Sequence, residues 1–229
     1  MNFLNIKNQT EDKAEIYIYG DIVDDSWNWG WEDDPSVYPK NIRELLKECE
    51  GKSIDVHINS GGGHVFAGMA ISNMIAHHDG KTTAIIDGLA GSIASVIAMG
   101  CDEIQMPSNA YLMIHKPSCM CFGDSNDMKK ASEMLEVLQE GIVITYLKHA
   151  KEGITKEQIS EKINEETWFT GETAQELFEI TAIDSLEYVA CEGEFVERLN
   201  NKPKAFNKQN SKKKDMEKWN KEIDLALSL

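Results

Sequence analysis

The chain has 229 residues, of which 41% are hydrophobic, and a formal net charge of −16. That is enough for one large domain with a substantial core, or one domain plus a tail. The acidic balance argues against a nucleic-acid binder, which carries a basic footprint. No window holds the ~18 uninterrupted apolar residues of a membrane span, and the stretch after Met1 is too short for a secretory signal.

Residues 14–22 alternate apolar and polar and predict a strand. Trp27, Trp29 and Trp31 follow in a Gly- and acid-rich loop. They read as packing over the edge of the body, with an exposed docking patch as the alternative. A short helix is expected over 41–49, after Pro39, and a second strand over 53–59. That strand runs directly into Ser60-Gly61-Gly62-Gly63. A helix then begins, with Phe66, Met69, Ala70 and Met74 falling on one apolar face. Residues 82–86 predict a third strand, 88–91 a turn, and 92–99 a small-residue helix opened by Ser92. Strands are expected over 103–106 and 111–115 around the turn Pro107-Ser108-Asn109. Alternating strands and helices imply a mostly parallel sheet with helices on its faces.

A long helix is predicted over 126–151, capped by Asp124 or Ser125, with Met128, Met134, Leu135, Leu138, Ile142 and Leu147 along its apolar side. Thr155 can cap a helix over 156–163. Residues 168–170 read as extended, Thr170 as the cap of a helix over 171–178, and 183–185 as the lead into a last strand. Domain organisation follows: a body over 1–199 and a lysine-rich tail over 200–229. The tail reads as a linker to 210 and a charged amphipathic helix using Met216, Trp219, Ile223 and Leu227. It holds eight lysines against four acids, so the body is more acidic than the whole chain. A docking or scaffold-contact role and a solvated flexible end are both open for it.

Five cysteines, at 49, 101, 119, 121 and 191, cannot all pair within one chain and show no disulfide framework, which fits a cytoplasmic protein. Cys119 and Cys121 behind His115 lack the second ligand pair a tetrahedral zinc site needs, so no metal or other cofactor is expected.

The chemistry concentrates in three places. Ser92 sits after the small-residue turn Gly88-Leu89-Ala90-Gly91, and a helix N-terminus there would surround its hydroxyl with free N–H groups. His115 ends an apolar run and titrates near neutrality, as a base for that hydroxyl must. The triple-glycine turn offers backbone donors for an oxyanion. These are the parts of a serine hydrolase.

The same residues resemble a known family. Ile58-Asn59-Ser60-Gly61-Gly62-Gly63 and Ala67-Gly68-Met69-Ala70-Ile71 are similar to the I-N-S-P-G-G and A-G-M-x-I of the Clp protease proteolytic subunit, ClpP. Gly88 to Ser92 resembles its G-x-A-A-S, and Pro107-Ser108-Asn109 with Met113-Ile114-His115-Lys116-Pro117 its P-N-S and M-I-H-Q-P. Phe169 to Ala174, through Ile183-Asp184, resembles F-x-S-A-x-E-A through G-L-V-D. The likeness keeps this order over residues 14–190. It implies an α/β ClpP/crotonase-like fold of repeated β-β-α units, with 126–151 as a protruding handle helix. It implies Ser92 as nucleophile, His115 as general base, and the N–H groups of Gly62 and Ile93 as the oxyanion hole. It further implies a peptide or protein substrate, a hexameric or heptameric ring in which handle helices interlock, and an ATPase unfoldase as partner.

Departures from the family pattern are specific. The family's third residue, an aspartate, falls on Thr167, which cannot carry a charge. Glu166 and Glu165 stand beside it and could reach His115 after a small backbone shift, with Glu166 as the candidate third member; a dyad is the alternative. Ser95 is a second nearby serine, expected to point away from the oxyanion donors. The chain is short ahead of its first strand compared with the family's axial-loop segment. With the tryptophan loop and lysine tail, these features resemble the ClpP-related head-maturation (prohead) proteases of tailed phages, which implies capsid proteins as partners. Two other readings stay open: a catalytically silent ring component, supported by Thr167, and a crotonase-type acyl-CoA enzyme using the glycine turn alone.

Overall fold

The structure is a computed structural model, and it describes residues 6–7, 9–28, 34–185 and 201–202. The chain divides at Arg198/Leu199 into two units, of which the first is described here. Its frame is a sheet of β1 (Ile6–Lys7), β2 (Lys13–Tyr19), β3 (Ser53–Ser60), β4 (Thr82–Gly91), β5 (Glu103–Pro107), β6 (Tyr111–Ile114), β7 (Thr167–Thr170) and β8 (Thr181–Ile183). The main path runs β1-β2-β3-β4-β5-β8, parallel throughout except for β1 at the edge. Ile16, Ile18, Ile54, Val56, Ile58, Ala84 and Ile86 alternate inward along β2 to β4 and are fully buried, which is why the period-2 pattern in these segments specifies strand.

The helices are α1 (Pro39–Glu48), α2 (Val65–Ala76), α3 (Ile93–Ala98), α4 (Ser125–Leu147), α5 (Lys156–Asn164) and the short α6 (Gly171–Ala174). Asp124 caps α4 through the N–H groups of Asn126 and Asp127, and Thr155 caps α5 through Gln158, each in a reciprocal capping box. None of the described helices is long and apolar enough to cross a membrane.

Several sequence expectations are corrected. Residues 88–91 do not turn the chain; β4 continues through them because Leu89, Ala90 and Gly91 pair with Tyr111, Leu112 and Met113 of β6. The buried face of α2 is Ala67, Gly68, Ile71, Ser72 and Ile75, while Phe66 is 57% exposed. Small residues win that face because α3 lies against it: a Cβ on Gly68 would stand 2.3 Å from Ile93 Cγ1, and Ser72 Oγ donates to Val96 O at 2.9 Å. Helix α6 stops at Ala174 rather than 178. On α4, Ile142 and Tyr146 bury into their own chain, whereas Met128, Met134, Val137 and Ile144 are exposed. Trp27 is 63% exposed rather than packed over an edge. Trp29, Trp31, Cys191 and the tail beyond residue 202 lie outside the described residues.

Candidate active site

On the edge away from β3, strand β4 serves two partners. Its first half pairs with β5 and its last three residues with β6. The Gly91↔Met113 pair therefore brings the residues after β4 and after β6 side by side. Ser92 follows Gly91 with φ 53° and ψ −126°, in a region that costs a non-glycine residue about 1–3 kcal/mol. Its N–H donates to Met113 O at 2.9 Å, which ties it to β6. His115 follows Ile114, and its Nε2 lies 2.8 Å from Ser92 Oγ.

Strand β7 pairs antiparallel with β6, Ile114 opposite Thr167, so the next position in the register sets Glu166 opposite His115. Glu166 takes a left-handed backbone, φ 52°, and places Oε2 3.9 Å from His115 Nδ1. Thr167 turns away, its hydroxyl donating to Lys162 O at 2.7 Å. Glu165 pairs with Lys162 at 2.9 Å on the exposed side. Burial lowers the His115 pKa below its ordinary 6.5, and the Glu166 charge opposes that shift. The imidazole is accordingly neutral at pH 7, with a ring nitrogen able to accept the Ser92 proton.

Backbone donors surround Ser92. Ile93 is the first residue of α3, so its N–H has no carbonyl behind it within the helix. Gly62 sits close under the serine: a Cβ there would stand 2.8 Å from both Ser92 Cβ and Gly91 O. Its N–H, however, donates to Ser60 Oγ at 3.1 Å, which turns it into its own loop. Gly63 is bracketed by two bonds to Ile22: Gly62 O accepts from Ile22 N, and His64 N donates to Ile22 O. That parallel bridge directs the Gly63 N–H away from Ile22. The Gly62 N–H is thus engaged by Ser60 Oγ, while the Gly63 N–H faces away from the Ile22 bridge.

A small cavity opens beside the candidate catalytic pair, where Ser92 and His115 meet Val65, Val96, Ile142 and Tyr146. Ser95 is fully buried and bonds to Ser92 O and to Tyr146 Oη, so it is not a nucleophile. Its partnership with Tyr146, on a distant helix, leaves no mark in the sequence. Cys119 is exposed on the loop behind His115, and Cys121 Sγ donates weakly to Asp127 O at 3.8 Å. Among the described residues no group of three or more His, Cys, Asp or Glu side chains is arranged to hold a metal.

The family model for Clp protease matches residues 37–182. The ATP-dependent Clp protease proteolytic subunit 1 of Streptomyces avermitilis is 33% identical over 136 residues, covering 58% of this chain and 61% of that protein. The proteolytic subunit of Mesostigma viride is 33% identical over 134 residues, covering 58% of each. The chain thus spans about three fifths of the length of these curated relatives. Among solved structures, a point mutant of ClpP1 from Listeria monocytogenes matches with TM-score 0.59 at 21% identity, over 73% of this chain and 90% of that one, a likeness of fold.

Proposed function

This chain belongs to the Clp protease family and has its ClpP-like α/β fold, and we propose that it is a serine endopeptidase working through an ester on Ser92. The observation that carries this reading is the 2.8 Å contact between Ser92 Oγ and His115 Nε2 at a strained helix entrance. In the reaction, Oγ attacks the peptide carbonyl as Nε2 takes its proton. The imidazolium formed is stabilised by the Glu166 carboxylate, and the oxyanion by the N–H of Ile93 with a donor of the glycine turn. Collapse of that intermediate breaks the C–N bond, and His115 returns the proton to the leaving amine. Water, deprotonated by the same imidazole, then hydrolyses the ester and restores Ser92.

Assembly belongs to the same proposal. The exposed Met128, Met134, Val137 and Ile144 on α4 suit a contact with further copies of this chain in a ring. An ATPase unfoldase or a phage capsid precursor would present the substrate. Fluorophosphonate labelling read by intact mass tests the chemistry. Wild type should gain one adduct, Ser92→Ala none, and His115→Ala should react at least a hundred-fold more slowly. No adduct on assembled wild type would favour the silent ring component, for which Thr167 at the family's aspartate position is the supporting observation.

A further inference from the structure

The Ser92 carbonyl is held more firmly than a helix entrance requires. It accepts from the Ser95 N–H at 3.0 Å and also from the Ser95 hydroxyl. Ser95 Oγ lies 2.6 Å from Tyr146 Oη. A serine hydroxyl has one proton, and here it goes to the Ser92 carbonyl, so the Tyr146 O–H donates to Ser95 Oγ. The result is a directed chain from Tyr146 on α4, through Ser95 on α3, to the backbone of Ser92. Both hydroxyl side chains are buried in an apolar setting, at 1% and 0% exposure, where a polar group is costly unless it is bonded. A phenylalanine and an alanine would fill the same space without that cost.

The peptide bond gives this chain its consequence. In a trans peptide the carbonyl oxygen and the following N–H point in opposite directions within one rigid plane. Fixing the Ser92 oxygen toward Ser95 therefore aims the Ile93 N–H back out of the helix entrance. We infer that Tyr146 and Ser95 are positioning residues: their hydrogen-bonded chain holds the Ser92–Ile93 peptide plane so that the Ile93 N–H is preset for the oxyanion. The inference rests on the serine-hydrolase reading above. Tyr146 also lines the small cavity beside Ser92 and lies against Phe178 with ring centroids 5.8 Å apart. Removal of its hydroxyl alone leaves those contacts in place.

The test compares Tyr146→Phe, Ser95→Ala and the double variant with wild type in the assembled protein. A fluorogenic peptide reports kcat and KM, and the matching peptide aldehyde, which forms a tetrahedral adduct, reports oxyanion binding. For Tyr146→Phe the expected result is a kcat about ten-fold lower, KM within two-fold of wild type, and an aldehyde Ki raised by the same ten-fold. Ser95→Ala should lose at least as much, and the double variant no more than Ser95→Ala, because the residues act in series. A wild-type kcat in Tyr146→Phe, a loss falling only on KM, or multiplying losses in the double variant would each overturn the inference. Should wild type itself fail to label with fluorophosphonate, the hydrolase reading falls, and crystal structures of the variants then decide the positioning role. A rotated Ser92–Ile93 plane would support it, and a plane unchanged in both would refute it.

Discussion

Glu166→Gln removes one charge and almost no volume, so it isolates what the carboxylate does for His115. At 3.9 Å the contact is too long for a hydrogen bond and acts as a charge interaction. Two unit charges at that distance attract by about 4 kcal/mol at an effective dielectric constant of ~20. The two side chains retain 22% and 16% exposure, so water screens part of this. The glutamine dipole recovers another part. About 2 kcal/mol of imidazolium stabilisation is then lost in the transition state, or roughly a 30-fold fall in kcat/KM. The direction with pH is also fixed. Glu166 raises the His115 pKa against burial, so its removal lets that pKa fall further, and the acid limb of the pH–rate profile moves to lower pH. The assay is fluorophosphonate inactivation and peptide hydrolysis from pH 5 to 9. A rate within two-fold of wild type, with an unmoved acid limb, would refute the partnership.

Further expectations follow from the same geometry. Because burial depresses the His115 pKa, activity in the unmodified protein should half-titrate below pH 6.5; a midpoint above 7 would contradict this. Linked stability has the matching sign. The folded state favours neutral His115, so that contribution is complete above the unfolded pKa of about 6.5 and is lost as pH falls from there through the lower folded-state pKa. Wild type should accordingly lose more Tm between pH 7 and pH 5.5 than His115→Asn does. Gly68→Ala would set a methyl 2.3 Å from Ile93 Cγ1, costing ~2 kcal/mol of overpacking, about 4–8 °C in Tm. An unchanged melting curve would show that α2 and α3 separate freely. Val137→Glu with Ile144→Glu places two charges on the exposed stripe of α4 and should shift sedimentation from ring to smaller species; unchanged sedimentation would place the subunit contact elsewhere.

Local pattern carried much of this site in the sequence. Period-2 burial fixes β2 and β3, and the motif around Ser92 and the apolar run to His115 named the two residues that the β4–β6 pairing brings together. Glu166 was legible as a neighbour of an uncharged Thr167, but its approach depends on the β6–β7 register and a left-handed backbone, which no local pattern encodes. Hydrophobicity misread α2, since the face that packs closely on α3 is chosen for small volume, not for apolar area. Glycines at 88 and 91 suggested a turn because the second partner of β4 lies about twenty residues ahead. Gly62 was the family-derived donor, and only the bond to Ser60 Oγ shows which N–H of the turn is committed. The Ser95–Tyr146 contact spans 51 residues and two helices, and a serine and a tyrosine in apolar segments give no hint of each other.

The placement of β6 between β4 and β7 has a bearing on how the chain is made. Ser92 leaves the ribosome ahead of His115, and well ahead of Glu166. Neither is near the serine until β6 has zipped onto β4 and β7 onto β6. A nascent or half-folded chain therefore carries an ordinary serine hydroxyl. On the serine-hydrolase reading, reactivity would arrive with sheet closure, and the native strand order itself would keep an unfinished copy from cutting its neighbours during synthesis.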